Sequence, residues 1–133
     1  MAQFQLEIMT PDGVKFSGAC DSVLVRTDAG DVEILRGHAD YFAAVSTGRA
    51  RLLIDGRSRF ASASGGFLSV ESGVVRFAPV TFEFAEDIDE RRAMAAKERA
   101  EAQLAAARDE KAAALAKAKL LRALSRLNIA NMR

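Results

Sequence analysis

The chain has 133 residues, with 19 basic and 18 acidic side chains, one histidine and one cysteine. That length buries one moderate core, and a lone cysteine, Cys20, excludes an internal disulfide or a cysteine metal cluster. The chain opens on no basic-then-apolar signal segment, and no apolar run approaches 18 residues, so a soluble cytosolic protein is expected, one that can still dock on a membrane complex.

The composition changes sharply near residue 85. Both prolines, all eight phenylalanines, the single tyrosine and all nine glycines lie before it. A β-rich part over 1–85 and a helical part over 86–133 are therefore expected.

Phe4, Leu6 and Ile8 alternate with Gln5 and Glu7, the pattern of a half-buried first strand. Thr10-Pro11-Asp12-Gly13 marks a turn, and Val14 and Phe16 begin the return. Val23 and Val25 alternate in a third strand that ends at 27–31, and Val32, Ile34 and Leu35 form a fourth before the loop 36–40. A short apolar strand over 41–45 and another over 48–54 follow. Asp55-Gly56 is a strong hairpin dipeptide, so 57–63 reads as a returning strand. Ser64-Gly65-Gly66 makes a glycine-rich corner. Further strands follow around Leu68 and Val70, over 74–77 beyond the Ser72-Gly73 turn, and around Phe82 and Phe84 after Pro79. Nine or ten short strands joined by tight turns pack as a small β-sandwich or flattened barrel.

From residue 86 the character reverses. Between 93 and 118, 13 of 26 residues are alanine, and the tail holds no glycine, proline or aromatic residue. These are strong helix formers. Asp87 with Glu90 three residues on fits a capping box, and the acids at 86, 87, 89 and 90 suit the positive end of a helix dipole. Larger apolar residues concentrate late, with Leu120, Leu124 and Leu127 forming a stripe beside Leu121. One helix over 87–127 would be about 60 Å long. The stripe needs a partner, so the tail either folds back at 108–111 or lies along another protein; such an element has two available states.

The stretch from Asp109 on carries six basic and two acidic residues. It suits an acidic protein surface or a nucleotide. The interleaved aromatics and motifs of nucleic-acid binders are absent, and no nucleic-acid partner is expected. Nor are catalytic residues: His38 stands alone in a loop, GxSxG is missing, and Ser64-Gly65-Gly66 lacks the lysine of a phosphate-gripping loop. No metal set is legible. The tail arginines differ. Arg92 and Arg99 lie seven apart, and Arg122 and Arg126 are an i,i+4 pair. In an antiparallel hairpin the four guanidinium groups, with Asp89 and Glu83, could hold a triphosphate and an adenosine; in an opened tail they would be exposed.

Taken together, FQLEIMTPDGVKFSG, GDVEILRGHADYFAAVSTG, SGGFLSV and AEDIDERRAMAAKERAEAQL make the chain resemble the epsilon subunit of F-type ATP synthase (delta in the mitochondrial naming) along its whole length. The resemblance implies a ten-stranded β-sandwich followed by a C-terminal α-helical hairpin. It implies a non-catalytic rotor-stalk subunit at the cytoplasmic face of a bacterial inner membrane, which couples proton-driven rotation to the catalytic head. The sandwich would pack on the gamma subunit and touch the c-ring loops, with Asp31 and His38 matching positions at or near that contact. The helices would extend toward the alpha/beta catalytic subunits and inhibit ATP hydrolysis. The alternative role is an ATP-binding sensor. No cofactor is required, but ATP is implied as a regulatory ligand. Ile88, Asp89, Arg92 and Ala93 match the family's I-D-x-x-R-A motif, and Glu83, Arg99, Arg122 and Arg126 match the positions that complete the site. Arg36 and Asp40 stand where the family usually has prolines, and Asp31 where glycine or glutamate is common, so that loop is expected to be less rigid and more charged.

Overall fold

The computed structural model describes residues 2–132. Nine strands come first: β1 (Phe4–Thr10), β2 (Gly13–Cys20), β3 (Ser22–Thr27), β4 (Gly30–Leu35), β5 (Tyr41–Ile54), β6 (Arg57–Ser64), β7 (Phe67–Glu71), β8 (Val74–Ala78) and β9 (Thr81–Phe84). A single 3-10 turn, Ala85–Asp87, leads to α1 (Glu90–Ala106) and α2 (Glu110–Ala130).

The strands form two layers. One sheet has the order β2-β1-β8-β7-β5 and the other β4-β3-β5-β6-β9. Every pair is antiparallel except β1 with β8. The segments expected as separate strands at 41–45 and 48–54 are one long strand that serves both layers. Its first part pairs β7 and its second pairs β3 and β6. Between them the step from Val45 to Ala50 answers only Thr27 to Val25, a bulge that lets the strand change layer. The ten-strand expectation thus counted β5 twice.

Turn chemistry holds the register. Asp55 (φ 50°) with Gly56 (φ 79°), and Ser72 (φ 49°) with Gly73 (φ 80°), have the paired positive φ of tight hairpin turns. Asp21 is buried and accepts a hydrogen bond from the Gly56 N–H at 3.3 Å, tying the start of β3 to the β5–β6 turn. Inward alternation fills the sandwich with Leu6, Ile8, Val23, Ile34, Leu52, Leu68 and Phe77, all at 0% exposure. Phe82 packs edge-on against both Phe77 and Phe84. Cys20 belongs to this core. Its thiol donates to the Ser22 carbonyl, and burial pushes its pKa up.

The helical part departs from expectation in three respects. First, α1 is capped by Asp89, not Asp87: the Asp89 carboxylate accepts from the Arg92 N–H at 3.1 Å. Ile88 is held extended (φ −75°, ψ 125°) with its side chain buried beside Ala85, Ile129 and Ala130, so the helix cannot begin until that anchor is set. Second, the break falls at 107–109. Ala107 is extended, and Asp109 caps α2 by accepting from the Ala112 N–H at 2.7 Å. Third, the leucine stripe is not the buried seam. Leu121 and Leu124 are exposed, and Leu120 and Leu127 are only half-buried. The buried helix residues are Ala93 and Ala100 on α1 and Ala116, Ala123, Ile129 and Ala130 on α2, the alanines of each helix standing seven residues apart. Two helical turns span seven residues closely enough to keep these alanines on one seam, where the absence of bulk lets the backbones approach.

Candidate functional site

The hairpin folds back onto the outer face of the second sheet, with α2 lying against β5 and β6. Ser62 of β6 exchanges a hydrogen bond with Ser125 of α2 at 2.8 Å. The next residue, Arg126, donates from Nε to Glu83 of β9 at 2.8 Å in a partly buried ion pair. At the root, Ile129, Ala130, Ala85 and Ile88 form a small apolar cluster with Phe60 and Met132 packed against it. Arg59 pins the connecting turn: its guanidinium lies 3.7 Å from the Phe84 ring centre and it pairs with Glu86 at 2.6 Å. That hydrogen bond holds the Glu86 carboxyl below the usual carboxylate range.

Between the sheet and the two helices lies a cleft of about 700 Å³. The helices supply one wall through residues spaced by three, four or seven, which share a helix face. On α1 these are Ala96, Arg99 and Gln103, and on α2 Lys119, Arg122 and Arg126. The sandwich supplies the other wall through Glu83 and Thr81 of β9, Ser62 and Ser64 of β6, and the β1–β2 tip with Asp12 and Lys15. Asp87 also reaches it from the connecting turn.

The structure divides the eight residues singled out for nucleotide binding. Glu83, Arg99, Arg122 and Arg126 come together on the cleft. Ile88, Asp89, Arg92 and Ala93 are not among its lining residues. Ile88 and Ala93 are buried in the fold, Asp89 caps α1, and Arg92 is exposed. Local spacing could not reveal Lys15 and Asp12 as lining residues, whereas Lys119 and Gln103 stand at helical spacing from Arg122 and Arg99 and were passed over. Lys15 and Asp12 lie roughly seventy residues or more from Glu83, and only the layering of the sheets brings them near.

Charge is uneven across the cleft. Five cations line it, Lys15, Arg99, Lys119, Arg122 and Arg126, against three carboxylates, Asp12, Glu83 and Asp87. Among the described residues only Arg126 of the five is paired with a carboxylate. Four such cations around a concave site give it a positive potential that attracts multiply charged anions.

Asp31 and His38 lie near opposite ends of β4. Asp31 pairs with Arg26 at 2.6 Å, while His38 follows the strand and meets Tyr41 edge-on with ring centres 5.6 Å apart. The 36–40 connection is tied down at Asp40, whose carboxylate accepts from the Ser72 N–H at 3.1 Å. Two prominent aromatics occupy the outer face of the first sheet. Phe42 (71% exposed) and Phe67 (40% exposed) stack with ring centres 5.3 Å apart. No described helix is long and apolar enough to cross a membrane, and no group of three potential metal ligands occurs among the described residues.

Residues 3–85 match the family model for the beta-sandwich domain of the ATP synthase delta/epsilon chain, and residues 86–131 match that family's long alpha-helix domain. An ATP synthase epsilon chain from Bacillus velezensis is 39% identical over 130 residues, covering 98% of each chain. Another from Ruminococcus albus is 36% identical over 132 residues, also covering 98% of each. Among solved structures, a chain in the OSCP/F1/c-ring part of the Euglena gracilis mitochondrial ATP synthase has the same fold. Its TM-score is 0.82 at 24% identity, over 100% of this chain and 83% of that one.

Proposed function

The chain belongs to the ATP synthase delta/epsilon family as an epsilon subunit, and from that premise we propose that it is a non-catalytic central-stalk subunit that fixes gamma to the c-ring and transmits torque between them. The observation that carries the docking role is the difference between the two outer faces. The helical hairpin covers the second sheet, whereas the first sheet presents the Phe42–Phe67 stack to solvent. Aromatic pairs of this kind supply the apolar anchors of protein interfaces, and gamma is the partner proposed for them. The 36–40 loop, with His38 and the charged Arg36 and Asp40, is the proposed c-ring contact; Asp31, at the other end of β4, is a less direct candidate. Such a role needs shape and rigidity, and it places the subunit peripherally on the membrane through the assembled complex. Co-purification with gamma tests the reading. The parent chain is expected to be retained and the Phe42→Ser/Phe67→Ser double variant lost. Equal retention of the two would remove these aromatics from the interface, and failure of the parent chain to associate would contradict the stalk role.

A second reading rests on the cleft: its unpaired cations favour ATP as a regulatory ligand of the folded hairpin, with the extended helices acting on the alpha/beta ring. Isothermal titration of the full chain with MgATP should give saturable heat, and Arg126→Ala should abolish most of it. This variant removes both a phosphate ligand and the Glu83 ion pair that holds α2 on the sheet.

A further inference from the structure

We infer that Lys15, at the β1–β2 tip, and Lys119, on α2, are phosphate-binding residues of the cleft, so that a bound nucleotide triphosphate spans three separate parts of the chain. The inference rests on the nucleotide reading above and extends it beyond the arginines of the helices and Glu83. Lys119 precedes Arg122 by three residues and Arg126 by seven, so the three cations form one stripe along the helix face that lines the cleft. Lys15 enters from the opposite wall, on β2 of the other sheet. Neither lysine is paired with a carboxylate among the described residues, and both are exposed. Asp12, Glu83 and Asp87 share the cleft, but none of them lies within ion-pair distance of either ammonium.

Arg99, Lys119 and Arg122 move with the hairpin when it swings away from the sheet, whereas Lys15 and Glu83 stay with the sandwich. An anion that contacts both lysines binds only the closed arrangement and stabilises it by mass action. A ligand with more phosphate charge engages more of the cations, so the cleft favours a triphosphate over a monophosphate.

The test is isothermal titration of the full chain with MgATP and with AMP. It compares the parent with Lys15→Ala, Lys119→Ala, the double variant, and Lys111→Ala, which lies off the cleft on the same helix. Each single cleft variant should weaken MgATP about fivefold, the scale of one partly exposed ion pair. The double variant should weaken it more than tenfold and shrink the preference for ATP over AMP. Lys111→Ala should change nothing, and the arginine replacements Lys15→Arg and Lys119→Arg should restore binding. Circular dichroism checks that the fold is kept. Parent-like MgATP affinity in the folded double variant overturns the inference and leaves the nucleotide reading standing. Absence of MgATP binding by the parent chain overturns both.

Discussion

Gly66 shows how tightly single positions constrain the sandwich. Its φ is +76°, and a Cβ built there would lie 1.9 Å from the Ala78 carbonyl oxygen. Gly66→Ala combines a left-handed backbone penalty with a clash against a neighbouring strand. A loss of about 2–4 kcal/mol is expected, read as a lower urea midpoint with an unchanged slope. Glu86 acts at the same scale through charge. Its folded pKa is depressed, first by the hydrogen bond from Arg59, so its stabilisation is fully present above the ordinary carboxylate pKa of about 4.3 and is lost as pH falls through the lowered folded value. The pair is substantially exposed, which limits the effect to about 0.2–1 kcal/mol. Thermal melts at acid and neutral pH should show this increment in the parent chain and lose it in Arg59→Ala, which also gives up the contact with Phe84.

Within the hairpin, propensity and packing have separate roles. Alanine makes α1 and α2 good helices, but a seam of alanines buries little area, so the helices need anchorage elsewhere. Ile129 supplies much of it at the root, where it is 2% exposed against Ile88 and Ala85. Ile129→Ala should cost about 2–4 kcal/mol of hairpin docking. Hydrogen exchange should then accelerate across α2 while protection in β3, β5 and β6 is kept. Equal acceleration in both regions would show that the hairpin and sandwich open as one unit. The Arg59 clamp adds a contact to the connecting turn on the sandwich side of this anchor.

At the scale of the whole molecule, two cores lie side by side. The sandwich cluster is built from residues between Phe4 and Phe84, and the root cluster of Ala85, Ile88, Ile129 and Ala130 is separate from it, with Phe60 of β6 packed against that second cluster. A chain ending after Asp87 is therefore expected to retain a cooperative β-sheet melt, with some loss of solubility from the uncovered Phe60 and Ser62. A broad, non-cooperative transition would show that the hairpin is needed for the sandwich to fold.

Much of this organisation is written in local pattern. Period-two alternation marked the strands, Asp55-Gly56 and Ser72-Gly73 marked their turns, and alanine content marked the helices, because each depends on residues close in sequence. Glu83, Arg99, Arg122 and Arg126 were singled out by the family resemblance; local spacing relates Arg122 to Arg126, while Glu83, on β9, carries no such signal, and the I-D-x-x-R-A residues lie off the cleft. What local pattern could not decide was every choice between competing burials. Capping-box spacing to Glu90 pointed to Asp87, and the burial of Ile88 moved the cap to Asp89. Leucine looked like the stronger seam, yet close approach of alanine backbones won it. β5 looked like two strands until pairing on both layers made it one. Lys15 and Lys119 gained a shared cleft only when the hairpin closed on the sheet, since proximity between distant segments is set by which surfaces bury each other, and that is a property of the packed molecule alone.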